Sequence, residues 1–266
     1  MKKYVHFRGK KIVYSEYGTG YPVFLLHGYL ETSEIWEDLA NRLSGSFRVI
    51  SVDLPGHGGS DIYNEIHTME FMASVLDGMM NTLGISKAFV AGHSLGGYVT
   101  LAFAENYPSR LDGYCLFHSH PFADTFETRS KREREIKIVM SGKKFLIYPD
   151  NIRNMFAGRN LPAMNDAFER SKRIASGISG EGIISVLKGM MARPSRLETM
   201  ESGKLPCLWI LGALDNYIQA DTMKNRVKLP SNAELCVLEG SGHLGFIEEP
   251  EKSADILSAF VRKTAK

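Results

Sequence analysis

Short apolar, β-branched runs alternate along this chain with longer amphipathic stretches. The runs lie at Lys11–Ser15, Val23–Leu26, Phe47–Val52, Lys87–Ala91, Gly113–Phe117, Cys207–Leu211 and Glu234–Leu238. Near-continuous apolar strands suit a parallel sheet that is covered on both faces. Between them, the stretch from Thr68 to Leu83 carries Phe71, Met72, Val75, Met79 and Leu83 at helical spacing. A second helix is predicted from Leu95 to Asn106, directly after a strand and ending before Tyr107-Pro108. A third, from Glu251 to Arg262, carries Ile256, Leu257, Phe260 and Val261. Strand–helix alternation of this kind predicts an α/β fold with a doubly wound sheet.

One stretch breaks the alternation. Residues 119–204 contain no good strand run, only polar and amphipathic helical patterns punctuated by glycine and proline. A structureless loop of that length would be unusual, so a helical segment inserted between two strands is expected. The predicted division is a core of residues 1–118 and 205–266 and a helical cap of residues 119–204. The insert holds 16 Lys and Arg against 10 Asp and Glu, a net charge of +6, and six of the 12 methionines. That pattern fits solvated basic helix faces over an apolar underside. It also fits an adaptable pocket roof, rich in Met and Phe, that mildly favours anionic substrates.

The whole chain of 266 residues carries a formal charge of only +2, so nothing global points to nucleic acid or to a membrane surface. No apolar run approaches the length of a membrane span. The charged N-terminal residues are not followed by an apolar stretch, and no secretory signal is expected. Cys115, Cys207 and Cys236 each sit inside a predicted strand and read as free, buried thiols. Their odd number and their spacing argue against a disulfide framework or a metal site. A cytoplasmic protein without metal or cofactor is expected.

The candidate chemistry begins at Gly92-His93-Ser94-Leu95-Gly96, a Gly-x-Ser-x-Gly pattern that follows a strand and opens a helix. A serine on such a turn is held in a strained backbone conformation, and small neighbours two residues away keep the turn from clashing. Its hydroxyl projects at a helix N-terminus, where developing negative charge is favoured. A hydroxyl needs a base to become nucleophilic. Of the eight histidines, His243 is singled out because Gly240-Ser241-Gly242-His243 lies beyond the last strand and before the last helix. A carboxylate at a strand end between serine and histidine should orient that base. Asp215 fits, whereas after the preceding strand no acid occurs until Asp124. The backbone N–H groups of Leu95, after the serine, and of Tyr29, after Val23–Leu26 and His27-Gly28, are the candidate oxyanion donors.

Together these motifs resemble the α/β-hydrolase fold family, in its large group of capped esterase-like members. The resemblance covers nearly the whole chain: His27-Gly28, Asp53-Leu54-Pro55-Gly56-His57-Gly58, Gly92 to Gly97, Gly212 with Asp215, and Gly242-His243. It implies a mostly parallel eight-stranded sheet, a structural turn at Asp53 to Gly58, and a cap after the sixth strand. It implies an esterase acting on small-molecule carboxylic esters of small to medium size through an acyl-enzyme on Ser94. Carbon–carbon bond hydrolysis or a lyase reaction on a diketone-like acid, thioester hydrolysis, perhydrolysis and a slow ligand receptor use the same frame. His27, His93, His118 and His120 stand beside the motifs as candidate substrate contacts. For His118 and His120 a hinge role is the alternative.

Overall fold

The computed structural model describes residues 2–265 and contains one eight-stranded sheet. Its strands are β1 (Lys2–Phe7), β2 (Lys10–Tyr17), β3 (Tyr21–Leu26), β4 (Phe47–Val52), β5 (Ala88–His93), β6 (Leu111–Phe117), β7 (Cys207–Gly212) and β8 (Ala233–Leu238). They run in the order β1-β2-β4-β3-β5-β6-β7-β8. Only the β1–β2 and β2–β4 pairs are antiparallel; every other neighbouring pair is parallel. All residues of β5, β6 and β7 are buried, as their unbroken apolar sequence requires.

Seven strands follow the predicted runs, with ends shifted by one or two residues. The eighth, β1, has no apolar run because it is an edge strand in a hairpin with β2 and buries only Val5 among its residues. The other edge corrects the expectation for the cysteines. Cys115 and Cys207 are buried, but Cys236 lies on β8 and is half-exposed.

The helices are α1 (Glu37–Leu43), α2 (Met69–Thr82), α3 (Leu95–Asn106), α4 (Phe126–Met140), α5 (Tyr148–Met155), α6 (Asn165–Gly177), α7 (Gly180–Ala192), α8 (Leu197–Glu201), α9 (Ala220–Lys224), α10 (Gly245–Glu248) and α11 (Pro250–Thr264). The Thr68 side chain caps α2 by accepting from the Phe71 N–H at 3.1 Å. Helix α3 is buried continuously from Leu95 to Ala104, which places it under the site as a rigid support. Among the described residues no helix is long and apolar enough to cross a membrane.

Helices α4 to α8 all lie between β6 and β7, within the stretch expected to be inserted. The insert is tied to the rest of the chain at several points. Arg170 of α6 donates to the Glu34 carbonyl at 2.7 Å and pairs with Glu37 and Asp38. The His67 N–H donates to the Ser185 carbonyl of α7 at 3.0 Å.

The strand order fixes where a site can form. From β3 the chain moves outward to β4, then crosses back so that β5 pairs with the other side of β3. The loops leaving β3 and β5 therefore diverge, and a crevice opens at the carboxyl ends of these two strands. Leu26 pairs with Gly92 there, so the His27–Leu30 loop and the Ser94 turn are neighbours.

Candidate functional site

Ser94 occupies the sharp turn between β5 and α3, with φ 47° and ψ −109°. This left-handed conformation is costly for a non-glycine residue and is held by surrounding bonds. The Ser94 N–H donates to the Phe117 carbonyl at 3.0 Å, and the Ser119 hydroxyl donates to the Ser94 carbonyl at 2.7 Å. A side chain at Gly92 would collide with the Gly96 carbonyl, and one at Gly96 with the Leu26 carbonyl. Both glycines are thus required by close backbone approach.

Asp215 follows β7 by three residues and is buried. Its Oδ1 accepts the backbone N–H groups of Tyr217 at 2.7 Å and Ile218 at 2.9 Å. Its Oδ2 faces His243 Nδ1 at 2.7 Å. Burial alone would raise the pKa of this carboxyl. The adjacent His243 imidazole and its hydrogen bond, with the His118 ring nearby, outweigh burial and hold it well below the usual carboxylate range. Ser94 and His243 line one cavity of about 330 Å³ between the strand tips and the insert, and Tyr29 forms part of the same wall. Leu95 begins α3, so its N–H belongs to the first helical turn, where no intrahelical acceptor is available.

Buried carboxylates that the sequence did not single out hold the loops in place. Glu31 Oε2 accepts the Gly28 N–H at 2.6 Å and contacts His93 Nδ1 at 2.9 Å. His93 Nε2 lies 2.9 Å from the His243 carbonyl, so the pair links the β3 loop to the histidine loop. Glu248 accepts the Gly242 N–H at 2.7 Å and, from the insert, the Ala157 N–H at 2.8 Å. The His243 N–H donates to the Met155 carbonyl at 2.7 Å. The histidine loop is therefore fastened to both the core and the insert. A signal for Glu31 existed in its position three residues after Gly28, but nothing in the pattern marked Glu248.

Three of the four candidate substrate-contacting histidines are not in the cavity wall, which corrects that expectation. His27 is fully buried: its Nδ1–H donates to the Gly28 carbonyl at 2.8 Å and its Nε2 accepts the Leu54 N–H at 3.0 Å. It joins the β3 loop to the Asp53–Gly58 turn. His93 is consumed by the contacts just given. His118, at φ 45°, accepts the Gly245 N–H on Nε2 at 3.0 Å and points Nδ1 toward Asp215 at 3.6 Å. Burial pushes His118 down to about 4, so its ring is neutral, with the proton on Nδ1 facing the carboxylate. His120 alone lines the cavity.

The insert contributes a more polar wall than the expected Met- and Phe-rich roof. Phe122, Met155 and Met190 are present, but Lys131, Arg132, Arg193 and Thr128 share the lining. Asp124 is not placed to orient His243. It is buried between Arg132, at 2.8 Å, and Arg193, at 2.6 Å.

In sequence and fold the chain is similar to known proteins. Residues 21–139 match the family model described as alpha/beta hydrolase fold. A thermophilic esterase from Thermogutta terrifontis, solved with malate bound, superposes with TM-score 0.94 at 27% identity, with 100% of both chains covered. The enol-lactonase from Burkholderia xenovorans gives TM-score 0.90 at 19% identity over 98% of this chain and 100% of that one, a likeness of fold. A 2-hydroxy-6-oxononadienedioate/2-hydroxy-6-oxononatrienedioate hydrolase of Burkholderia vietnamiensis is 27% identical, covering 95% of this chain and 91% of the relative.

Proposed function

We propose that this chain, a member of the α/β-hydrolase fold family, is a serine hydrolase that cleaves small to medium carboxylic esters through an acyl-enzyme on Ser94. The observation that carries the reading is the 2.7 Å contact between Asp215 and His243 beside a cavity shared by His243 and the strained Ser94. In this mechanism Asp215 accepts the His243 Nδ1–H, which leaves Nε2 free to take the Ser94 hydroxyl proton. The serine oxygen attacks the ester carbonyl, and the Tyr29 and Leu95 N–H groups stabilise the resulting oxyanion. Each such donor contributes about 3–4 kcal/mol to the transition state. The His243 proton passes to the leaving alcohol. Water, deprotonated by His243, then releases the acid and restores Ser94.

The inserted helices act as a cap that closes the pocket over the strand tips. The substrate partner is a small molecule, and the buried thiols of Cys115 and Cys207 suit a reducing, cytoplasmic setting. A panel of chromogenic esters of graded acyl length, with fluorophosphonate labelling of Ser94, tests the reading. Absence of both turnover and labelling overturns it. A second reading, carbon–carbon bond hydrolysis of a diketone-like acid, is favoured by the Burkholderia vietnamiensis relative. Anionic diketones run beside the esters separate the two.

A further inference from the structure

The four cationic side chains in the cavity wall, Lys131, Arg132, Arg193 and Arg226, face only two acidic ones, Asp124 and Glu135. Both acids are occupied. Asp124 is shared by Arg132 and Arg193. Glu135 accepts the Tyr29 hydroxyl at 3.1 Å and the Asn151 amide at 3.2 Å. One carboxylate cannot neutralise two guanidinium groups, so the cavity keeps an excess of positive charge.

Arg193 is the most telling of the four. It is only 5% exposed, its guanidinium stacks 3.8 Å above the Tyr98 ring, and its Nε has no hydrogen-bond partner among the described residues. A buried cationic donor left unpaired is costly unless a ligand completes it. Tyr98 offers a second free donor. His120 Nδ1 accepts the Phe122 N–H at 3.2 Å, so its Nε2 carries the proton and donates to the Tyr98 oxygen at 3.1 Å. The Tyr98 O–H is then free to point elsewhere, and Tyr98 lines the cavity. At the rim, Arg226 stacks 3.9 Å over Phe122 and makes no ion pair among the described residues. A stacked guanidinium keeps its fork of donors available for a planar anion.

We infer that the cavity is built for an ester that carries an ionised carboxylate, bound by Arg193 and the Tyr98 hydroxyl while its carbonyl meets Ser94. The inference rests on the reading of Ser94 as nucleophile. An apolar acyl pocket would reject such a charge, because an unpaired buried ion is strongly disfavoured. Here the charge is met by donors already desolvated and held in position.

The test pairs esters that differ only in the carboxylate. On the acyl side, mono-4-nitrophenyl adipate is compared with 4-nitrophenyl hexanoate. On the alcohol side, 4-carboxyphenyl hexanoate is compared with phenyl hexanoate. For one pair the charged ester should have a kcat/KM about tenfold or more above its neutral partner, as charge-assisted hydrogen bonds provide. Arg193→Gln should bring that ratio to one or below, and Arg226→Gln should reduce it about threefold, as a rim charge does. Charged esters at or below their neutral partners in both pairs overturn the inference, as does a preference untouched by Arg193→Gln. Should Arg193→Gln fail to fold, Arg226→Gln and calorimetric binding of adipate to the unaltered protein decide; no binding at millimolar adipate counts against the site. If Ser94 takes no label and all four esters stay intact, the hydrolase reading fails, while adipate binding still tests the anion site on its own.

Discussion

The strand tips and the inserted helices face each other across one cavity, yet different forces hold them. At the tips, Ser94, Asp215 and His243 sit on short loops whose backbone groups are bound by buried partners: the Phe117 carbonyl, Glu31 through Gly28 and His93, and Glu248 through Gly242. In the insert, the charged lining side chains Arg132 and Arg193 come from different helices or their ends and are fixed chiefly by ion pairs around Asp124. The first arrangement resists change in position, as a reacting constellation must. The second permits change in identity, as a specificity wall does. Substitutions at the tips should therefore abolish chemistry without much effect on what binds, and substitutions in the insert should do the reverse.

The largest expected difference is at Ser94. Ser94→Ala should fold as the parent does and lose about 10⁶-fold in kcat, the scale of removing a nucleophile in this kind of site. Fluorophosphonate labelling followed by mass spectrometry should place the adduct on Ser94. A variant that keeps its rate, or a label on a different serine, breaks the contrast at its root.

Next come the two buried aspartates, one on each side. Asp215→Asn should lose about 10⁴-fold in kcat, because an amide can hold the imidazole in the wrong tautomer. Asp124→Asn removes the carboxylate that holds Arg132 and Arg193 together. It should cost about 3 kcal/mol of stability, as breaking a buried pair does, and alter KM more than kcat. Unfolding midpoints and steady-state kinetics on the same preparations check both. Equal losses of kcat in the two variants would show that the insert takes part in the chemistry.

How far the sequence disclosed these two regions follows from the same difference. The elbow was legible because close backbone approach demands Gly92 and Gly96, and so leaves a motif. Asp215 and His243 were legible from their positions after strands. The sheet was legible wherever both faces are buried, and β1 was not, since an edge hairpin strand needs no apolar run. Arg193, Arg132 and Asp124 come from the end of one helix, the middle of another and a loop. No periodicity links them; only the folded insert brings them together. The histidines misled for a related reason. A loop at a strand tip needs buried groups to satisfy its backbone, and His27, His93 and His118 do that instead of reaching substrate.

Four buried histidines, His57, His67, His118 and His120, give an effect of intermediate size. Burial is the main cause that pushes His57 and His120 down to about 3 and His67 and His118 down to about 4. The unfolded chain takes up their protons below its ordinary value of about 6.5, while the folded chain refuses them until about pH 4 at His67 and His118 and about pH 3 at His57 and His120. Stability is then complete above pH 6.5 and falls on acidification, by up to about 1.4 kcal/mol per pH unit for each such histidine. Melting temperature should drop steeply between pH 6.5 and 4. His120→Gln, in the insert, should flatten the slope by about one proton, as His57→Gln should in the core. A melting temperature independent of pH in that window would mean that the rings are charged in the fold.

The smallest expected effect concerns the reach of the cavity. Met190 is buried on α7 and lines the wall shared with Ser94 and His243. An acyl chain gains about 0.8 kcal/mol for each methylene it buries, roughly fourfold in kcat/KM, until the cavity is full. Beyond that length added carbons clash, so kcat/KM should peak at a short or medium chain. Met190→Ala removes the unbranched tip of the wall and should move the peak to chains about two carbons longer. The rate on the shortest esters should change little, because their carbons do not reach that wall. The variant should also lose stability, since part of the new space stays empty without substrate. A peak that stays in place would show that another side of the cavity, such as Met155 or Phe122, sets the limit. A rate that rises without a maximum through very long chains would mean that the helices form an open groove, and that the insert excludes nothing by size.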